Sequence, residues 1–187
     1  MQVILASRSP RRQELLKLFS IPFVIRIADI DESMNPVDPY DEVARVSRLK
    51  AEAIHREDDD VVIAADTIVV CDGKVLGKPR DESDAAAMLR LLSGRAHQVM
   101  TGLTVLRGEK ILSCTEVTEV CFRALSDKEI EAYIRTKEPM DKAGSYGIQQ
   151  GGALCVEKIC GDYFNVVGLP VCRLGQLLKE IAPEWME

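Results

Sequence analysis

Three arginines, Arg8, Arg11 and Arg12, crowd the stretch LASRSPRRQELLKLF, from Leu5 to Phe19. Ser9 is a good helix N-cap there and Pro10 suits the first helical position. A helix N-terminus already carries unpaired N–H groups and partial positive charge, and acidic residues normally collect at it. Arginines in that place make chemical sense around an anion, because hydroxyls, backbone amides and guanidinium forks are what a phosphate needs. A solvated helix whose arginines pair with Glu14 or a distant carboxylate is the alternative. A second candidate is Asp66, which follows the apolar run VVIAA. A carboxyl there must be ionised and paired, neutral with a raised pKa, or metal-bound, since an unpaired buried carboxylate is costly. Asp66 could equally turn the chain or pair structurally with Lys78.

The remaining polar candidates are thinner. Asp29, Asp31 and Glu32 sit in a loop after a strand, where one could ligate a metal or all could simply be solvated. Lys50 follows Leu49 on a helical pattern closely enough to point partly inward, although an exposed lysine is the simpler reading of that residue alone. Gln149 and Gln150 lie among Gly144, Gly147, Gly151 and Gly152, where backbone can approach a ligand and an amide can read a base edge. A turn with no ligand fits those residues as well. The stretch GKVLGKP imitates a phosphate loop but has three residues between its glycines and Pro79 where Ser or Thr would be needed, so a hairpin explains it better.

The elements that must position these residues follow from periodicity and punctuation. Val3 to Ala6 predicts a short strand leading into the Ser9-capped helix, and PFVIRIA (22–28) the next strand. The loop DIDESMNP follows, then a helix from Pro39 to about Glu57, ended by the acidic run EDDD as a solvated loop. VVIAAD predicts a strand covered on both faces that closes at Asp66. Asp72-Gly73 is a type I′ hairpin signal, and counting outward pairs Cys71 with Lys74, Val69 with Leu76 and Thr67 with Lys78. Asp81 caps a helix to about Leu92, two long alternating strands follow, and Ser126 with Glu129 predicts a capping box for a helix to Thr136. ALCVEKI and FNVVGL suggest closing strands, and Leu169 to Ile181 a terminal helix. With no internal repeat or low-complexity linker, the chain reads as one α/β domain, 1–187, with two lobes.

Bulk numbers narrow the chemistry. The 187 residues are 47% hydrophobic with a net charge of −6, which disfavours non-specific nucleic-acid binding and leaves any anionic substrate to a local basic patch. No apolar run is long enough to span a membrane, and an arginine follows VILAS too soon for a signal peptide, so a cytoplasmic protein without membrane or nucleic-acid partners is expected. Six cysteines lack metal-site spacing and read as reduced, mostly buried thiols. Two histidines in unrelated contexts disfavour a zinc site or a Ser-His-Asp hydrolase and leave carboxylates with a hard cation, Mg²⁺ or Mn²⁺.

Taken in order along the chain, ASRSPRRQELL, AADTIVVCDGKVLGKPRD, SGRAHQVMTGL, KEPMDKAGSYGIQQGGA and GDYFNVVGLP together resemble the Maf family of nucleoside triphosphate pyrophosphatases. The resemblance implies an elongated mixed α/β sheet with flanking helices, two lobes around a cleft, similar to inosine triphosphate pyrophosphatases, and a homodimer. It implies hydrolysis of the α–β anhydride of a nucleoside triphosphate with a divalent cation. Carried over, Ser7, Arg11, Arg12, Lys50 and Lys78 would hold the triphosphate, Glu32 would help bind metal, and Asp66 would activate water and contact the metal. Thr67, Gln149 and Arg11 resemble the branch acting on dTTP and UTP, with modified pyrimidine triphosphates as further candidates. The 7-methyl-GTP branch, or a nucleotide-binding regulator of division that does not turn nucleotide over, are the alternatives. GIQQGG departs from the family's usual glycine after the first glutamine, which bears on the loop's shape.

Overall fold

The computed structural model describes residues 2–27, 29–33 and 38–185. Ala28 of the predicted second strand and Met34, Asn35 and Pro36 of the loop after it lie outside the described residues. Among the described residues the sheet has seven strands. Six run in the order β2 (Phe23–Ile25), β1 (Val3–Leu5), β3 (Val61–Cys71), β5 (Ala96–Arg107), β6 (Lys110–Phe122) and β7 (Val156–Cys160), and β4 (Lys74–Leu76) pairs with β3. The chain divides into two compact units, with β3, β5 and β6 contributing residues to both. The first comprises Met1–Asp66, Thr101–Glu116 and Gly168–Glu187; the second comprises Thr67–Met100 and Val117–Val167.

In the first unit β1 is the buried centre of a parallel trio, with Ile4 opposite Val24 on one side and Val62 on the other. All three β1 residues are buried, as a strand covered on both faces requires. Ser9 and Pro10 start α1 (Pro10–Leu16) as their types dictate, the Ser9 side chain accepting from the Arg12 N–H. Helix α2 (Pro39–Glu52) is capped by Asp38 and buries Val43, Val46, Ser47 and Ala51. It meets β5 so closely that a Cβ on Gly102 would overlap the Val43 carbonyl oxygen. Ser47 Oγ lies 2.8 Å from Thr104 Oγ1, which lies 2.8 Å from Ser113 Oγ, a hydroxyl chain that fixes the rotation of α2. Ile4, Ala6, Ala51, Ile54, Val62, Ala64 and Leu106 form the core here, and α6 (Val171–Ile181) lies late in the unit's sequence, before a last 3-10 turn at Pro183–Trp185.

The second unit holds the β3–β4 hairpin, α3 (Glu82–Leu92), α4 (Asp127–Arg135), α5 (Tyr163–Val167) and β7 around a core that includes Leu89, Leu92, Phe122 and Ile130. Asp72 and Gly73 have φ of 50° and 73°, the two positive values a type I′ turn needs. The predicted pairs Cys71 with Lys74 and Val69 with Leu76 are present. Asp81 caps α3, and Ser126 and Glu129 make both bonds of a capping box on α4.

Several expectations change. Strand β3 does not close at Asp66 but runs on to Cys71, so Asp66 is an interior strand residue. Its pairing with β1 ends at Ile63, and the hairpin begins at Val69, which joins two predicted strands into one. The hairpin ladder stops at Leu76, short of Thr67 and Lys78, and the carbonyl of the next residue, Gly77, accepts from Gly144 N–H at 3.1 Å. FNVVGL is not a strand. Asp162 accepts from the Phe164 N–H at 2.8 Å, and the buried Asn165 amide donates to Val99 O and Thr118 Oγ1, both at 3.0 Å, holding a helical turn. Helix α2 ends at Glu52, short of the predicted Glu57. The acidic run is not wholly solvated: Asp60 is buried and accepts from the Gln2 and Glu57 N–H groups. Of the cysteines only Cys71 and Cys155 are buried, and Cys160 and Cys172 are exposed.

Candidate active site

The first unit brings Ser7, Arg12, Glu32, Lys50 and Asp66 into one network. Ser7, buried in the loop between β1 and α1, accepts at its Oγ from the Ser9 N–H (3.2 Å) and from Arg12 Nη1 (3.3 Å). Arg12 Nε donates to the Gly168 carbonyl at 2.7 Å, which ties the helix start to the far end of the chain. The guanidinium is therefore held by partners that include Ser7 Oγ and the Gly168 carbonyl. Burial pulls its pKa down, and Asp66 opposes that by attraction. Arg11 pushes the same way as burial and Glu32 the same way as Asp66, so two cations and two carboxylates share one electrostatic field.

Lys50 is the hub of the carboxylates. Its Nζ lies 2.6 Å from Asp66 Oδ1 and 3.0 Å from Glu32 Oε2. The Lys50 and Asp66 side chains retain only 14% and 13% exposure, whereas Glu32 is 60% exposed. Lys50 is thus not the exposed lysine that its position alone suggests. It stands one turn beyond Ser47, so the hydroxyl chain under α2 is what aims it at Asp66. Asp66 itself is neither turn nor Lys78 partner; the structure pairs it with Lys50.

Thr67, Lys78 and Gln149 belong to the second unit. Thr67 follows Asp66 on β3 and is half-buried; Lys78 is exposed and, among the described residues, has no hydrogen-bond or ion-pair partner. Gln149 is exposed in the glycine-rich segment, in a turn closed by the Gln150 N–H donating to Gly147 O at 3.4 Å. In the first unit, Asp31 is exposed and stands outside the network just described, as does Asp29.

The two carboxylates that converge on Lys50 Nζ supply hard oxygen donors, the kind Mg²⁺ or Mn²⁺ takes. Among the described residues no group of three or more His, Cys, Asp or Glu could hold a metal. Such a donor set suits a cation that binds one or two carboxylates and completes its shell with water and substrate phosphate. The sequence reading missed two parts of this arrangement, the Gly168 carbonyl under Arg12 and the Tyr133–Glu138 pair behind Gln149. The first joins residues 156 apart and has no local signal; the second pairs residues only five apart, but its bonds to the Gly147 and Gly151 N–H groups, 14 and 13 residues on, are made by folding.

The family model described as Maf-like protein matches residues 2–181. The chain belongs to the Maf family. A relative from Bacillus cytotoxicus named dTTP/UTP pyrophosphatase is 48% identical over 179 residues, 95% of this chain and 94% of its own. One from Symbiobacterium thermophilum with the same name is 50% identical over 181 residues, covering 96% and 93%. Among solved structures, a HAM1 protein from Coxiella burnetii matches with TM-score 0.50 over 96% of this chain and 99% of that one. At 14% identity this shows a shared fold alone.

Proposed function

We propose that this Maf protein hydrolyses dTTP and UTP to the nucleoside monophosphate and pyrophosphate. The observation that carries the reading is the Arg12, Lys50, Asp66 and Glu32 network, in which cations suited to phosphate adjoin a carboxylate suited to activating water. The relatives' names point to the pyrimidine substrates. In the proposed reaction Asp66 accepts a proton from water, the water oxygen bonds to the α-phosphorus, and the bond to the bridging α–β oxygen breaks, so pyrophosphate leaves with that oxygen. Ser7, Arg11, Arg12 and Lys50 offset phosphate charge as it shifts toward the leaving group. Lys50 also holds Asp66 in a fixed rotamer until substrate arrives.

Glu32 and Asp66 would hold a divalent cation, which when bound supplies charge stabilisation and alignment of the phosphates. For Lys78 and Gln149, on the second unit, the family resemblance alone supplies the substrate roles, phosphate for Lys78 and base edge for Gln149. Thr67 would support base choice from its place beside Asp66. We further take residues 1–187 to act as one catalytic domain, cytoplasmic and homodimeric, with no nucleic-acid or membrane partner; no helix among the described residues is long and apolar enough to cross a membrane. A pyrophosphate-release assay over dTTP, UTP, ATP, GTP and 7-methyl-GTP with Mg²⁺ or Mn²⁺ tests the proposal. Fastest turnover of 7-methyl-GTP would move the chain to the other branch, and nucleotide binding without turnover would favour the regulator.

A further inference from the structure

The turn that carries Gln149 is held at both ends by two side chains with no assigned role. Tyr133, on the inner face of α4, accepts at its hydroxyl from the Gly147 N–H (3.1 Å) and donates to Glu138 Oε1 (2.7 Å). Glu138 in turn accepts from the Gly151 N–H at Oε2 (2.9 Å), with the Gly152 N–H at 3.5 Å from Oε1. Between these anchors the turn closes on itself, Gln150 N–H to Gly147 O, leaving Ile148 and Gln149 as its central residues. The buried Lys142 fills the space beside it, its Nζ donating to the Glu138 carbonyl at 2.7 Å. Side chains at these glycines would crowd the turn. A Cβ on Gly147 would sit 2.6 Å from Lys142 Cε, and one on Gly152 would sit 2.5 Å from Gly147 O and 2.8 Å from the Tyr133 hydroxyl. The glycines of GIQQGG are therefore explained by the clamp, and the extra glutamine does not loosen it, because Gly151 and Gly152 both reach Glu138.

We propose that Tyr133 and Glu138 are positioning residues for base recognition, fixing the apex amide of Gln149 so that its donor and acceptor meet one base edge. This rests on the reading of Gln149 as the group that contacts the base. The physical reason is entropic: an exposed amide on a free glycine turn must be ordered when substrate binds, whereas an anchored turn presents it ready made. Burial raises the Tyr133 pKa, which keeps its hydroxyl protonated and able to donate to the carboxylate. Glu138 cannot be replaced by an amide without cost, since Gln would turn an NH₂ group toward an N–H that needs an acceptor.

The test is a cycle of variants assayed for kcat/KM with dTTP and with ATP. Tyr133→Phe and Glu138→Gln in the wild-type chain should each lower the dTTP-over-ATP ratio about three- to tenfold, mainly through a higher KM for dTTP. In a Gln149→Ala chain the same two changes should leave the ratio where Gln149→Ala alone puts it, a non-additivity that mere loss of folding does not produce. An undiminished ratio in folded Tyr133→Phe and Glu138→Gln overturns the clamp while leaving Gln149 in place. A ratio unaffected by Gln149→Ala overturns the reading beneath it, and the clamp with it. If neither clamp variant folds, amide exchange on the wild-type protein decides: the Gly147 and Gly151 N–H groups should be protected, and exchange at the rate of free peptide overturns the proposal.

Discussion

Replacing Asp66 by Asn separates the chemistry of this site from its packing. Asn has nearly the same shape, and its Oδ1 can still accept from Lys50 Nζ at the place where Asp66 Oδ1 does, 2.6 Å away. What disappears is one negative charge and the ability to take a proton. General-base assistance is worth about 10²–10⁴-fold, so kcat for dTTP should fall by about that factor, equivalent to about 3–5 kcal/mol of transition-state stabilisation. Ground-state affinity depends chiefly on Arg11, Arg12 and Lys50, which remain, and under saturating Mg²⁺ Glu32 and the Asn Oδ1 can still hold the cation, so KM should change by less than about fivefold. Stability should fall as well. Asp66 offsets Lys50 and Arg12 at a site where its side chain is 13% exposed, and the remaining anion, Glu32, is 60% exposed and better screened. Breaking a fully buried pair costs about 3–5 kcal/mol and an exposed one under about 1, so a loss of about 1–3 kcal/mol, or a few degrees in Tm for each kcal/mol, is expected. Pyrophosphate release under saturating dTTP, with Tm followed in parallel, measures both. Turnover within about threefold of wild type in a folded Asn variant would refute Asp66 as the base. A higher Tm with lost turnover would keep Asp66 as the base and refute its stabilising pairing with Lys50 and Arg12.

Arg12→Ala and Lys78→Ala should both weaken substrate binding and rate, but only the first should cost stability. Arg12→Ala leaves the Gly168 carbonyl without its 2.7 Å donor, worth about 1–3 kcal/mol, while the exposed Lys78, with no partner among the described residues, should change stability by under about 0.5 kcal/mol. Unchanged kcat and KM in either variant would remove that residue from the site. Steady-state competition should show dTTP and UTP preferred over ATP and GTP by at least about tenfold in kcat/KM, less so in Gln149→Ala, and equal rates for all four would defeat the pyrimidine assignment. The buried His97 sits against Phe122 and Tyr146, its Nε2 is 2.8 Å from the Tyr146 hydroxyl, and its Nδ1 has no hydrogen-bond partner among the described residues. Burial therefore depresses its pKa to about 4. The unfolded chain takes up the proton first as pH falls, so this contribution is full above about pH 6.5 and is lost toward pH 4, with about 2–3 kcal/mol gone by pH 4.5. Urea unfolding of wild type and His97→Gln at pH 7 and pH 4.5 checks it; identical pH dependence in the two would rule it out.

Short-range instructions were readable from the chain alone. The Ser9-Pro10 helix start, the Asp72-Gly73 turn with its register, the Asp81 cap and the Ser126–Glu129 capping box each involve residues close together along the chain. Their geometry is set by backbone sterics and by hydrogen bonds that close within a single turn, so composition at those positions is enough. The residue types of the candidate site were legible in the same way, since arginines beside a helix cap are electrostatically anomalous without an anion. Tertiary structure decided the rest. Whether Lys50 was exposed or turned inward depended on the rotation of α2, which Gly102, Thr104 and Ser113 settle from strands far along the chain. FNVVGL carries a strand's composition, yet Asn165 becomes helical because its buried amide finds the Val99 carbonyl 66 residues away. Arg12 meets Gly168 across 156 residues, a contact with no trace in either neighbourhood. An amide or guanidinium buried by folding must find a partner wherever the packed chain places one, and that choice is a property of the whole fold rather than of the residues beside it.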